Sequence, residues 1–334
     1  MRNKPGALAL LLVALVTCYS CTSLQTREAK QAEEQLSGVA VPAFNADSAY
    51  AFVARQVAFG PRVPNTVAHK ATGDWIASKL TSYGGKVQEQ RFRMAAFDGT
   101  ELNLRNIIAS YNPAATHRVM LAAHWDTRPF ADKDEVSPDV PIAGANDGGS
   151  GVGVLLEIAR VLHEANPKPG IGIDLMFFDG EDYGQPANSE LPYKEHTWAL
   201  GSQHWSKNKH VPDYQAEYGI LLDMVGAANA RFAREGYSMQ YARQVVNKVW
   251  KAGKEAGFAD YFKRLRAPAI TDDHYYVNKW GGIPMIDIVE YNTKARNGDS
   301  FGPYHHRHKD NMAIISRNTL KAVGQTVLQV LYHE

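Results

Sequence analysis

Two hydrophobic periods alternate along the chain. Residues 48–59 carry Tyr50, Val53 and Val57 at helical spacing and stop at Gly60-Pro61. A second helix is expected over 66–83, ending at Gly84-Gly85. Residues 105–111 read as a strand, and 118–124 form an apolar run suited to a buried strand. Residues 149–163 are helical, with Val154, Leu155, Ile158 and Leu162 on one face. Further strands are expected at 171–178, 218–225 and 284–289, and further helices at 238–254 and at the C-terminus, where Leu320, Val323, Val327 and Leu331 share a side. Continuous apolar strands alternating with amphipathic helices predict an α/β fold. It is a three-layer sandwich whose central, mostly parallel mixed twisted sheet carries helices on both faces. Ligands then collect at the carboxyl ends of the strands.

The first residues follow a different pattern. Arg2 and Lys4 precede an apolar run over 7–16, about ten residues and so the length of a signal core rather than of a membrane span. Ser20 then precedes Cys21. The expected organisation is a signal peptide over 1–20, a Gln/Glu/Lys/Ala-rich tether or N-terminal extension over 21–43, and a single domain over 44–334. The protein is expected to be exported to the periplasm, with Cys21 as a candidate lipid anchor. Cys18 and Cys21 are the two cysteines of the 334 residues, so a mature domain has no thiolate for zinc or catalysis. Any metal must be held by His, Asp or Glu. With Lys+Arg 36 against Asp+Glu 35, the net charge of +1 leaves no global footprint for nucleic acid.

The chemistry lies at the strand ends. The strand at 119–123 runs into His124-Trp125-Asp126, and Gly144 to Ser150 open the next helix around Asp147. The strand at 173–178 runs into Asp179-Gly180-Glu181-Asp182, and the one at 219–222 into Asp223. Asp272-Asp273-His274 precedes a helix-like stretch, Asp287 lies in a strand, and Tyr304-His305-His306-Arg307-His308 precede the last helix. Singly, each acid has an ordinary explanation: Asp147 as a helix cap, Glu181 and Asp182 as a solvated turn. Their recurrence at strand ends suits a catalytic divalent cation, which takes carboxylate oxygen and imidazole nitrogen and leaves a position open. An adjacent carboxylate then serves as general base.

In order and spacing, His124-x-Asp126, Gly144 to Ser150, Phe177 to Asp182, Leu200-Gly201-Ser202, Leu222-Asp223-Met224 and His306 resemble the zinc aminopeptidase superfamily. The resemblance runs from about residue 50 to the end. Within it the chain is most similar to the animal-type glutaminyl cyclases as found in bacteria. Thr271-Asp272-Asp273-His274 resembles the Asp-Asp-His of cyclases, where aminopeptidases usually have Ser in place of Asp272. Phe301 matches a pocket aromatic. Asp223 and Asp272 are placed to share a proton.

The resemblance implies one zinc ion held by Asp147, Asp182 and His306. It implies Glu181 as general acid/base, with Asp223 and Asp272 as a network beside it. Trp198, Asp287 and Phe301 are implied at the substrate pocket. The substrates would be peptides and proteins with N-terminal glutamine, cyclised to pyroglutamate with release of ammonia. The chain departs from the animal pattern at Asp182, which is Glu there, at Asp287, which is a pocket His, and at His305, which is Trp. His124 and His308 remain alternative ligands, with His308 read as a surface or supporting residue. The alternative reading is an exported di-zinc aminopeptidase using His124, Asp147, Asp182, Asp223 and His306. A tethered binding protein on the same fold is a third.

Overall fold

The structure is a computed structural model that describes residues 40–295 and 299–334. The expected signal peptide over 1–20 and Cys21 lie outside the described residues. Among the described residues, eight strands and eight α-helices, with a short 3-10 turn at Met312–Ile314, lie in the unit spanning Pro42–Tyr332. Helix α1 (Ala46–Ala58) starts two residues before the expected position because Asn45 caps it, accepting from the Asp47 and Ser48 amides. Helix α2 (Val67–Ser82) is capped by Thr66 in the same way. Strands β1 (Lys86–Ala95) and β2 (Glu101–Tyr111) form an antiparallel pair. They are followed by β3 (Arg118–His124), α3 (Gly149–Glu164), β4 (Gly172–Phe178), α4 (Leu200–Lys207) and β5 (Tyr218–Asp223). A short β6 (Phe232–Arg234) pairs in parallel with β7 (Phe262–Arg266). Between them lie α5 (Gly236–Tyr241) and α6 (Arg243–Glu255), and α7 (Asp273–Lys279), β8 (Met285–Val289) and α8 (Arg317–Leu331) complete the order.

The main sheet has the order β1-β2-β4-β3-β5-β8. Neighbours β4, β3, β5 and β8 all run parallel, while β1 and β2 are antiparallel at one edge. Strands β3, β4, β5 and β8 are buried at every position, as expected for a sheet covered on both faces. One face packs on α4 and α7, with Met120, Ala122, Met176, Phe178 and Leu221 meeting Trp205 and Val277. Helices α1, α2, α3 and α8 cover the other. There α3 comes very close: a Cβ on Gly151 would stand 2.1 Å from the Leu222 carbonyl oxygen, so only glycine permits the contact. Among the described residues no helix is long and apolar enough to cross a membrane.

The predicted strands and the three-layer arrangement are present. The helix expected over 238–254 is interrupted at Ala242, whose φ of −137° separates α5 from α6. Strand β1 was not anticipated. It is an edge strand with no fully buried position, so KVQEQRFRMA shows little apolar periodicity.

One buried polar cluster fixes the far end of β4. Asp174 receives a two-pronged contact from Arg118 (2.7 and 2.8 Å) and hydroxyls from Ser110 (2.6 Å) and Tyr214 (2.7 Å). Removing one partner of a buried pair leaves the other charge uncompensated. Asp174→Ala should therefore lower unfolding free energy by about 3 kcal/mol or more, read by denaturant titration; an unchanged midpoint would contradict this account.

Candidate active site

Because β4, β3, β5 and β8 are parallel neighbours, their carboxyl ends lie side by side. The residues at those ends line a cleft of about 810 Å³ with Asp147, Glu181, Asp182, Asp223, Asp272 and His306 in its wall. Two of these loops are each held by a buried acid. Asp126 accepts the Glu181 and Asp182 amides, both at 3.1 Å, one on each carboxylate oxygen. Asp310 accepts the Asn146 amide at 2.7 Å and the Asp147 amide at 3.0 Å. Asp126 and Asp310 are fully buried. Gly148, at φ 76°, lets the chain turn from Asp147 into α3; a Cβ there would meet the Asp126 carbonyl oxygen at 2.8 Å.

These clamps bring the sequence-predicted residues together. His306 Nε2 lies 3.4 Å from Asp182 Oδ1 and 3.9 Å from Asp147 Oδ2. Asp147 Oδ2 and both oxygens of Asp182 are buried with no hydrogen-bond partner. Buried carboxylate oxygens without donors, converging on an imidazole nitrogen, fit a divalent cation. On its other nitrogen His306 is set by Asp132, 3.1 Å from Nδ1, and Asp132 is in turn held by Arg128. His306 itself is left-handed, with φ 55°. Met224 at φ 47° and His196 at φ 59° also line the cleft, and Ala199 at φ 56° flanks it. Left-handed non-glycine residues are costly and gather at functional sites.

His305 comes closer than the sequence implied. Its Nε2 is 3.9 Å from Asp147 Oδ2, and Asp147, His305 and His306 form one group able to hold a metal ion. Its Nδ1 meets Lys133 Nζ at 2.7 Å. A second such group is His124, Asp147 and Asp223, with His124 Nε2 3.2 Å from each carboxylate. His308 turns away, its Nε2 3.0 Å from the Ser137 carbonyl oxygen. Trp198 lies in the cleft wall, stacked on His306 at 5.8 Å between ring centres and under the Arg128 guanidinium at 4.5 Å. Phe301 lines the cleft beside His305. Asp287 does not reach the cleft wall. It is fully buried in β8, grouped with Asp272 and His274. Asp132, Asp310, Arg128 and Glu235 were not singled out from sequence. Arg128 and Asp310 lay near motifs, two residues after Asp126 and four after His306.

The electrostatics follow from burial. Glu181 is half-buried as a residue, but protein surrounds its carboxyl. Burial, joined by the charges of Asp272, Asp182 and Asp273, holds it well above the usual carboxylate range against the opposing pull of His124. Burial lifts Asp223 to about 7. Asp147 is lowered despite burial, because His124 bonds to it and His305 and His306 stand near.

Over residues 106–331 the chain matches the family described as Peptidase family M28, and it belongs to that family. Within it the likeness extends to glutaminyl cyclases. The solved glutaminyl cyclase of Bacteroides thetaiotaomicron, bound to N-acetylhistamine, is 52% identical, with 88% of this chain and 100% of that one covered and a TM-score of 0.85. A structure described as a Zn-dependent exopeptidase from Parabacteroides distasonis is 54% identical over the same shares, also with a TM-score of 0.85. The glutaminyl-peptide cyclotransferase of Drosophila melanogaster is 30% identical over 52% of this chain and 46% of its own length, so the match spans less than half of that relative.

Two expectations follow. Asp126→Asn replaces one of the two acceptor oxygens with a donor that faces a main-chain N–H. It should cut turnover by at least tenfold and loosen metal retention, read by assay and by elemental analysis; full retention of both would contradict the clamp. The second concerns Glu290, at the end of β8, which accepts a hydrogen bond from Tyr304 in the His305-His306 loop. Burial raises its carboxyl from 4.5 to about 7. Stability from this group is full below pH 4.5 and lost as pH rises through about 7. The melting temperature of Glu290→Gln should therefore gain on the parent between pH 5 and pH 8; a constant difference would contradict the shift.

Proposed function

We propose that the protein converts the N-terminal glutamine of peptides and proteins to pyroglutamate with release of ammonia, using one zinc ion held by Asp147, Asp182 and His306. The observation that carries this reading is the near full-length likeness to the Bacteroides thetaiotaomicron glutaminyl cyclase, 52% identical over 88% of the chain. The cleft supports it by placing Glu181 beside a buried donor set that suits a cation. The charged-then-apolar N-terminal sequence supports a site of action in the periplasm.

A zinc ion bound there supplies Lewis acidity to the side-chain amide carbonyl and offsets its developing negative charge. Glu181 takes a proton from the substrate's α-amine as that nitrogen attacks the δ-carbonyl carbon of the same residue. The new C–N bond closes a five-membered ring. Glu181 then passes the proton to the departing nitrogen, the C–N bond of the amide breaks, and ammonia leaves. A carboxyl whose pKa is raised by burial suits both directions of transfer. Nucleophile and electrophile belong to one molecule, so the protein's task is to hold a near-attack conformation and exclude water. Trp198 and Phe301 supply apolar wall for that purpose, and Asp223 and Asp272 set the charge around Glu181.

A second reading, a two-metal aminopeptidase, is favoured by the His124, Asp147 and Asp223 group. Mass spectrometry of a glutaminyl peptide incubated with zinc-loaded protein separates the two. Loss of ammonia from an otherwise intact peptide is expected; release of a free N-terminal amino acid would favour the peptidase. Glu181→Gln should keep its zinc and lose at least a hundredfold in turnover, in line with removal of a general acid/base. Retained turnover would remove Glu181 from this role.

A further inference from the structure

A second cavity, of about 1050 Å³, opens where β5 and β8 begin, at the opposite end of those strands from the active cleft. It shares no lining residue with the cleft. Its charge is lopsided. Arg234, Arg243, Arg266 and Lys248 line it against two acids, Glu217 and Glu334. Glu334 is already matched, 2.5 Å from Lys248 Nζ and accepting from the Tyr218 hydroxyl. Among the described residues no acid forms an ion pair or hydrogen bond with the side chains of Arg234, Arg243 or Arg266, Glu217 included.

Arg234 is the innermost of the three, and its Nε is sealed from solvent with no hydrogen-bond partner. It stands opposite Arg266 in the β6–β7 pair, and Arg264 lies two residues before Arg266 on β7. Like charges placed opposite one another in a strand pair are destabilising. Burial and the charges of Arg264 and Arg266 push the Arg234 guanidinium down, and no acid pulls it back. Guanidiniums crowded in this way without a counter-charge suit an anion, and their planar fork matches a carboxylate.

A ridge of aromatic rings joins this cavity to the cleft. Tyr275 of α7 lines the cleft. Its ring centre is 4.6 Å from that of Tyr237, which is 6.2 Å from that of Tyr241. Tyr241, 38% exposed, lines the basic cavity, and Tyr237 and Tyr275 are half-buried. Tyrosine offers a flat apolar face with a polar tip, which suits contact with a passing peptide.

We propose that the basic cavity is a docking site for an acidic segment of the peptide substrate, reached from the cleft along Tyr275, Tyr237 and Tyr241. The identity of the occupant as substrate rests on the cyclase reading. An extended chain advances about 3.3 Å per residue, so the acids fall from about the fifth residue onward. The unmatched positive charge also steers such chains toward the protein.

Two peptides test it. Both begin with glutamine and share their next residues; one then carries a run of acids, the other the matching amides. Ammonia release by the zinc-loaded protein is followed at low ionic strength. The acidic tail should lower KM by about fivefold or more with kcat unchanged, and about 0.5 M salt should erase the gain by screening. In Arg234→Gln, and in Arg266→Gln at an exposed position that folding does not depend on, the two KM values should converge. Equal KM values in the parent, or a preference that survives both substitutions, would overturn the proposal. Fluorescence anisotropy with the same two tails behind an N-terminal alanine needs no turnover. The acidic tail should bind with the lower Kd in the parent and lose that advantage in Arg266→Gln; equal Kd values would overturn the docking site. If neither glutaminyl peptide releases ammonia, the cyclase reading falls and the anisotropy alone decides the site.

Discussion

The arrangement at the cleft depends on buried carboxylates that accept main-chain N–H groups. Loops at the ends of covered parallel strands bring amides into the interior where no water reaches them, and each unpaired amide is costly. Asp126 and Asp310 each take two consecutive amides, and Glu235 takes three from two separate segments. Asp179 does the same for Arg105 while also meeting His69. Charge-assisted bonds of this kind are about twice as strong as neutral ones. The Asp126 and Asp310 clamps decide where Glu181, Asp182 and Asp147 stand, because they grip the backbone of those residues.

The device concentrates negative charge. The clamping acids sit directly behind acids that line the cleft, and protein cations are few there. Arg62, fully buried, bonds the Ala143 and Gly144 carbonyl oxygens and faces Asp310, Asp126 and Asp147, while Arg128 contacts the Asp182 carboxylate and carbonyl. The remaining charge must be met by histidines, protons or metal. Burial and this crowding are why Glu181, Asp223 and Asp287 are pushed up.

The sequence carried the sheet because its central strands are buried on both faces and so are apolar throughout, as at 118–124 and 171–178. It carried the cleft residues because strand ends in such a sheet are where acids have a reason to recur. It did not carry β1, whose residues are half in water, nor the break at Ala242, where periodicity continues across a change of backbone angle. The clamps were hidden for another reason. Asp310 reaches residues more than a hundred and sixty positions away (|i−j| of 163 and 164), and no local pattern encodes such a contact. Asp287 reads from sequence as an acid within a strand; its place 4.0 Å from His274 Nδ1 follows from the packing of α7 beside β8, which no local pattern encodes.

The loop over 183–199 stands apart from this frame. It joins β4 to α4, carries Trp198 to the cleft, and presents Leu191 and Tyr193 with 45% and 83% exposure. Much of its internal bonding is its own, through Gln185, which accepts from the Lys194 amide and donates to the Leu191 and Pro192 carbonyls. Substitutions at its tip leave the carboxylate clamps untouched. Frame and wall are therefore built as separable parts: the loop can be rewritten at its exposed tip without disturbing the carboxylate clamps beneath it.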